Sequence, residues 1–511
     1  MKSDDLVRTG IAGLDEILMG GIPRTNVILV EGTTGSGKTL LGVEFIYRGI
    51  IEFNEPGIIV VFEVSPDKLI RDAATLGWDL AELQAQKKLQ IVFTSPQVLD
   101  QELRSPDSLL LETAAEMRAQ RIFIDGIGLL RHDANAGIPP TATGPGSYRE
   151  ILQQLIEGLN REHLTAMLSH ELGSHGESQA TLEAADSLVD TVIRLAKVLN
   201  QRRIQRSIEI VKSRGQDFEP GEHTLQIHDG RGLEVFRRVQ VPLRNQEQVT
   251  STVRHSVIGM EALDVLIGGG VFEGSTTIVV GPSGVGKTIL GVQILREVVV
   301  KQKMRGLLIS LDEHPAQIAR NAATLGLDLQ SQIDSGDIRV LFQSPQELVI
   351  DAHFAKIVRT IEEYDIKRMV IDGMTSYSTA LGDQSVYRDF FHALVAYSKN
   401  RLMTTVFNYE NPEFLGISTY MPEYPVTSIV DNIILLNLVE INSSLRRCLT
   451  VVKARGSNPE FESREYVIGQ GGITLLPADE KFAKALPLAG YSSILSRAPT
   501  RLPATLRLDA V

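Results

Sequence analysis

Two octapeptides in this chain have the residue types and spacing of a phosphate-binding loop. Gly32-Thr33-Thr34-Gly35-Ser36-Gly37-Lys38-Thr39 and Gly281-Pro282-Ser283-Gly284-Val285-Gly286-Lys287-Thr288 both fit G-x-x-x-x-G-K-[ST] without a mismatch. In such a loop the glycines let backbone N–H groups face phosphate oxygens at the start of a helix. Lys38 and Lys287 are then expected to hold the β- and γ-phosphates of ATP, and Thr39 and Thr288 to ligate Mg²⁺. Each loop follows an apolar run (residues 26–30 and 277–280) and opens a helical pattern (residues 40–47 and 289–298). That strand–loop–helix context separates a working loop from a chance match.

Other residues complete the chemistry. An apolar strand ending in Asp supplies the second metal-side oxygen in these sites, and residues 121–125 and 368–372 end in Asp125 and Asp372. Phosphate transfer also needs a carboxylate to orient the attacking water or hydroxyl. The candidates are Glu63, in Phe62-Glu63-Val64, and Asp312 with Glu313, in Leu311-Asp312-Glu313. Either alone reads equally as a solvated acid at a strand end; recurrence at one offset favours the catalytic role. Lys212, Arg214, Lys453 and Arg455 follow strands late in each half. They either complete a neighbour's site, as arginine fingers do, or form charged turns before Gly215 and Gly456. Thr427-Ser428 precedes an apolar run and by itself reads as turn chemistry. The first half has Asp186-Ser187 there, so the hydroxyl pair belongs to the second half alone. His170 and His175 read as loop histidines.

These residues sit on a duplicated frame. The loop lysines Lys38 and Lys287 are 249 positions apart, as are Gly10 and Gly259. Thr9-Gly10-Ile11-Ala12-Gly13-Leu14-Asp15 aligns with Ile258-Gly259-Met260-Glu261-Ala262-Leu263-Asp264. Residues 71–80 are mirrored by 320–329, and Val211-Lys212-Ser213-Arg214-Gly215 by Val452-Lys453-Ala454-Arg455-Gly456. Between the halves, residues 238–254 are too poor in apolar side chains to bury themselves and read as a linker. Within each half, short apolar runs alternate with helical patterns. Runs without inside–outside alternation are buried on both faces, which predicts an α/β fold with a mostly parallel sheet covered by helices.

Composition narrows the class. The chain has 511 residues, 43% hydrophobic and 22% charged, as ordinary globular proteins have. A net charge of -12 disfavours a whole-surface nucleic-acid binder. Cys448 is the single cysteine, so no disulfide forms within the chain, and a reducing compartment, the cytoplasm, is expected. Residues 1–20 are mixed and acidic, unlike a signal peptide, and no run reaches the roughly 18 apolar residues of a spanning helix. A RecA-type DNA-dependent motor would need a basic, aromatic-lined channel, and aromatic residues make up 5%. A scaffold whose nucleotide only sets assembly is a third reading, toward which Val64 leans for the first half.

On these residues the chain resembles the KaiC family, the ATPases and autokinases of the cyanobacterial circadian clock. The resemblance rests on the duplicated plan, the G-[IM]-x-x-L-D openings, the acidic strand ends, the two K-x-R-G turns and residues 427–436. It implies two tandem RecA-like P-loop NTPase domains, which the repeat places at 1–240 and 255–490, while Pro499 and Pro503 mark residues 491–511 as a mobile tail. It implies a homohexamer with ATP and Mg²⁺ at subunit interfaces and Kai-type regulatory proteins as partners. The first domain would hydrolyse ATP. The second would act as a serine/threonine autokinase on Thr427 and Ser428, in circadian-type or stress signalling. Glu63, Asp312 and Glu313 fall on the family's catalytic acid positions. Lys212, Arg214, Lys453 and Arg455 fall on residues that reach a neighbour's nucleotide. The chain departs from the family pattern at both acid positions and in the hydroxyl pair. Paired glutamates become Glu63-Val64 and Asp312-Glu313, and serine and threonine are swapped in the hydroxyl pair.

Overall fold

The computed structural model describes residues 5–104, 108–130, 148–173, 185–200, 203–240, 255–410, 426–441 and 443–478. The tail and residues 241–254 of the expected linker lie outside that set. The chain divides between Arg238 and Val239 into two compact units.

The first unit is built on nine strands: β1 (Val27–Gly32), β2 (Gly57–Val61), β3 (Leu89–Phe93), β4 (Arg121–Asp125), β5 (Thr165–Glu171), β6 (Thr191–Asn200), β7 (Arg203–Ser213), β8 (Glu222–His228) and β9 (Gly232–Phe236). The second repeats them as β10 (Thr276–Gly281), β11 (Gly306–Ser310), β12 (Ile338–Phe342), β13 (Arg368–Asp372), β14 (Thr404–Glu410), β15 (Asn432–Ile441), β16 (Ser444–Ala454), β17 (Ser463–Gly469) and β18 (Gly472–Leu475). The first sheet runs β3-β2-β4-β5-β1-β6-β7-β8-β9, and the second runs β12-β11-β13-β14-β10-β15-β16-β17-β18. Every strand thus has its counterpart nine numbers on, and the duplication extends to topology. These are tandem RecA-like α/β units.

From β3 to β6 every pairing is parallel. These strands have helices on both faces, so each face needs apolar residues. In β1, Ile28 and Val30 enter one core and Val27 and Leu29 the other. That division produces the unbroken apolar runs of the sequence. From β6 to β9 the pairings turn antiparallel. There β7 buries Ile208 and Ile210 and leaves other residues at least partly in water. The second sheet divides in the same way. The G-[IM]-x-x-L-D openings are structural. The Asp15 carboxylate accepts from Thr9 N at 2.7 Å and Gly10 N at 3.1 Å, and Asp264 accepts from Ile258 N at 2.6 Å and Gly259 N at 3.2 Å.

One buried position differs instructively between the repeats. On the helix Lys287–Gln302, Gln293 Oε1 accepts from Ile473 N at 2.7 Å and its Nε2 donates to Ile473 O at 3.1 Å. Its counterpart on Lys38–Phe53 is Glu44, which accepts from Leu233 N at 2.7 Å and pairs with Arg48 at 3.2 Å. Burial pushes the Glu44 carboxyl up to about 7, and the Leu233 N–H and Arg48 offset only part of that. The folded unit therefore holds a proton that the unfolded chain releases near pH 4.5. Stability falls as pH rises from there through about 7. Glu44→Gln copies the second repeat's solution. It is expected to flatten this dependence and to stabilise the first unit by about 1–3 kcal/mol at pH 8. Trp78, the only tryptophan, is buried in that unit against Tyr47 and reports its unfolding by fluorescence. A Glu44→Gln chain no more stable than the unmodified one at pH 8 would refute this.

Candidate functional site

Each P-loop bridges the end of a central strand and the start of a helix. β1 leads into Lys38–Phe53 and β10 into Lys287–Gln302. The residues before the helices are Gly37 and Gly286, with φ of 114° and 102° and no side chain to cap the helix. Only glycine adopts that backbone cheaply, and it leaves the first helical N–H groups facing the loop. Lys38 Nζ donates to Gly32 O at 2.8 Å and Thr33 O at 3.0 Å. Lys287 Nζ donates to Gly281 O at 2.8 Å and Pro282 O at 2.7 Å. Burial pushes both ammonium groups down, against the charges of Glu171 and Asp125 in one site and of Glu410 and Asp372 in the other. A desolvated cation beside free helix N–H groups fits a polyphosphate.

The threonine and aspartate expected at each metal lie side by side. Thr39 Oγ1 donates to Asp125 Oδ2 at 2.9 Å, and Thr288 Oγ1 donates to Asp372 Oδ2 at 2.7 Å. Each pair presents two hard oxygens beside the phosphate loop, and a nucleotide-bound Mg²⁺ takes one or two protein ligands with the rest from phosphate and water. The residues present therefore fit Mg²⁺ with ATP. Sequence reading passed over the next layer. Ser169 Oγ donates to Asp125 Oδ1 at 2.6 Å, and Asn408 Nδ2 donates to Asp372 Oδ1 at 2.9 Å. These polar residues stand two places before the strand-ending Glu171 and Glu410, a repeated signal that would have found them. Thr34 hydrogen-bonds Glu171 directly. His170 lies buried within β5, not in a loop; burial of this strand, flanked by β4 and β1, explains the difference.

The candidate acids follow β2 and β11, beside the loops. In the second unit, the P-loop residues Ser283, Gly284, Gly286, Lys287 and Thr288 border a pocket of about 460 Å³ with Asp312, Glu313, Asp372 and Glu410. Asp312 accepts from the Ser376 hydroxyl. Glu313 Oε2 accepts from Asn321 Nδ2 at 3.4 Å. Burial first, then the charges of Asp372 and Asp312, raise the Glu313 carboxyl above its ordinary range. Glu63 is exposed, with Val64 beside it. Pro282 O and the buried Val285 complete the second loop, Val285 O accepting from Tyr466 Oη at 2.6 Å. In the first loop Ser36 is buried and Gly35 O accepts from Arg206 Nε at 3.4 Å.

Four basic candidates and the hydroxyl pair lie elsewhere. The parallel register matches Thr277 with Asn432 and Val280 with Leu435. Residues ahead of Asn432 therefore lie at the start of β10, and the P-loop lies beyond its end. Thr427 and Ser428 belong to the short helix Val426–Ile429 at that starting end; the Thr427 side chain is outside the described set. Arg455 Nη2 donates to Ser428 O at 2.7 Å and Lys453 Nζ to Val430 O at 2.7 Å. In the first unit Lys212 Nζ donates to Asp186 O at 2.6 Å and Val189 O at 2.7 Å, and Arg214 Nη2 to Ser187 O at 3.1 Å. Each basic pair thus sits at the opposite end of its sheet from its own P-loop.

Comparison with known proteins gives one consistent result. The family model described as "ATPase: KaiC" matches residues 7–240 and 257–480. The chain is 31% identical over 508 residues to the circadian clock oscillator protein KaiC of Picosynechococcus sp., covering 98% of this chain and 94% of that protein. It is 30% identical over 510 residues to KaiC 1 of Synechocystis sp., with coverages of 98% and 93%. It is 31% identical over 504 residues to KaiC of Synechococcus elongatus, with coverages of 97% and 92%. Among the described residues no helix is long and apolar enough to cross a membrane.

Proposed function

The chain belongs to the KaiC family of ATPases, and from that footing we propose that it is an ATP-hydrolysing autokinase whose two units do different work. The first unit hydrolyses ATP. The second transfers phosphate to Thr427 and Ser428. The protein acts as a homohexamer in the cytoplasm, with ATP and Mg²⁺ between subunits. Kai-type regulators are its partners in circadian-type or stress signalling.

The observation that carries this reading is the register of β10 with β15. It separates the hydroxyl pair and the Lys453–Arg455 turn from the P-loop of their own unit. A ring in which one subunit's hydroxyl end meets the next subunit's P-loop end uses both. Within such a pocket Lys287 and the loop N–H groups hold the phosphates, and Thr288 and Asp372 hold Mg²⁺. When bound, Mg²⁺ draws charge from the β- and γ-phosphate oxygens. The neighbour's Ser428 or Thr427 oxygen bonds to the γ-phosphorus, the bond to the β–γ bridging oxygen breaks, and ADP leaves. The hydroxyl proton passes to Glu313, which reaches one methylene further than Asp312. Arg455 and Lys453 of that neighbour add positive charge as it develops on the phosphate.

The first unit has a single acid, Glu63, and no hydroxyl pair at the matching place. Those features favour water as its acceptor, oriented by Glu63 against a γ-phosphate held by Lys38, Thr39 and Asp125. Lys212 and Arg214 serve the neighbouring subunit's first site. Phosphosite mapping by mass spectrometry after incubation with ATP and Mg²⁺ tests the kinase half. Phosphate is expected on Thr427 or Ser428. Protein that binds ATP yet carries phosphate on neither residue would leave an ATPase and remove the kinase.

A further inference from the structure

Each sheet sets one more acid beside its phosphate loop. The parallel register pairs Glu171 with Gly32 and Glu410 with Gly281, the first residue of each loop. Side chains two places apart on a strand share a face. Ser169 and Asn408 use that face to reach Asp125 and Asp372, and Asn408 Nδ2 also donates to Lys287 O at 3.1 Å. Glu171 and Glu410 therefore project on the side of the sheet where the loop and metal residues lie. The contacts agree. Thr34, inside the first loop, donates its hydroxyl to the Glu171 carboxylate. Glu410 borders the second pocket with Lys287 and Thr288, and its N–H donates to Thr375 Oγ1 at 2.9 Å.

We propose that Glu171 and Glu410 set the balance between triphosphate and diphosphate at each site, by placing a negative charge where the outermost phosphate of ATP must sit. This rests on the reading of both loops as ATP sites, and holds whichever group accepts the phosphate.

The two acids differ from the aspartates on the metal side. Asp125 and Asp372 each take a hydrogen bond from the loop threonine that shares their metal, so Mg²⁺ offsets their charge when it is bound. Glu171 takes its bond from Thr34 instead, and Thr375 holds Glu410 through the backbone. Both acids are exposed, so they fill no core. Their charge is nonetheless felt at the loop. Burial lowers the Lys38 and Lys287 ammonium groups; among the charges that oppose it, Glu171 comes ahead of Asp125 and Glu410 ahead of Asp372. The phosphate that those lysines hold must meet the same field with the opposite sign. ADP lacks the γ-phosphate and escapes most of that repulsion. A loop without the acid favours the triphosphate, which offers the lysine and the helix N–H groups more negative charge. The acid brings the two affinities closer together.

Equilibrium dialysis of the full chain against the β,γ-imido analogue of ATP, and against ADP, each with Mg²⁺, reads this balance directly. Glu171→Gln with Glu410→Gln removes both charges and leaves an oxygen that accepts from Thr34. Affinity for the imido triphosphate is expected to rise about tenfold, with affinity for ADP within about threefold of the unmodified chain. Glu171→Asp with Glu410→Asp keeps the charges, and both affinities should stay within about threefold of the unmodified chain. Circular dichroism should show equal folding in all three chains. Equal changes for the two nucleotides, no change for either, or an aspartate chain that behaves as the glutamine chain does, overturns the proposal. If the unmodified chain binds neither nucleotide, the reading of the loops as ATP sites fails first and takes the proposal with it.

Discussion

Glu313→Gln is expected to cut phosphate transfer to Thr427 and Ser428 by about 10²- to 10⁴-fold, the usual weight of a positioned general base. Affinity for ATP should hold or rise. The substitution keeps the size of the side chain and an oxygen that accepts from Asn321. It removes the ability to take a proton and one negative charge from the neighbourhood of Asp372 and Asp312, where a polyanion must bind. A loss of affinity matching the loss of rate would mean that Glu313 shapes the pocket and does not act as the base. The pH dependence gives a second check. Burial and the two neighbouring carboxylates hold the Glu313 carboxyl above the ordinary glutamate range. A base works deprotonated, so the rate should fall as pH drops through that raised value. The residual rate of Glu313→Gln should lack this limb. Single-turnover transfer followed by mass spectrometry, with ATP binding measured separately, provides both readings.

The residues gathered around each loop were legible because their signals are local. G-x-x-x-x-G-K-[ST] is read within eight residues, and Asp125 and Asp372 announce themselves as polar ends of apolar runs. Duplication then turned weak signals into strong ones, since chance does not place an acid after the same strand twice. What escaped reading depends on contacts across the sheet. Ser169 and Asn408 matter because β5 lies beside β4 and β14 beside β13, a strand order that no local pattern encodes. Ser376 reaches Asp312 because the chain returns to a turn 64 residues upstream. The outermost strands β8 and β9 were missed for another reason. β8 alternates buried with partly exposed residues and looks like a loop beside the solid runs of the parallel half. Asp229-Gly230, in the turn that pairs His228 with Gly232, is the one local hairpin signal these two strands carry.

Two inactive chains are expected to restore phosphate transfer when they assemble together. Lys287→Ala removes the cation that holds the phosphates in the second site and leaves Thr427 and Ser428 in place. A chain carrying Thr427→Ala and Ser428→Ala keeps the P-loop and offers no acceptor. Each alone should gain no phosphate at these positions. A mixed assembly should gain it on the Lys287→Ala chain, from near zero to a readily detected level. The reason is distance. Thr277 pairs with Asn432, and Gly281 lies four residue steps beyond Thr277. At about 3.3 Å per residue, the hydroxyl end and the loop end lie at least about 13 Å apart along the strand. A reacting oxygen must come within about 3–3.5 Å of the phosphorus. No rotamer of Ser428 closes that gap, and the strand pairing that sets it is part of the core, where Ile433 and Ile434 are buried. Transfer within one subunit would require β15 to leave the sheet. If the mixture stays unphosphorylated while the unmodified chain is phosphorylated under the same conditions, the acceptor is reached within its own subunit. The arrangement of Arg455 beside Ser428 then needs another explanation.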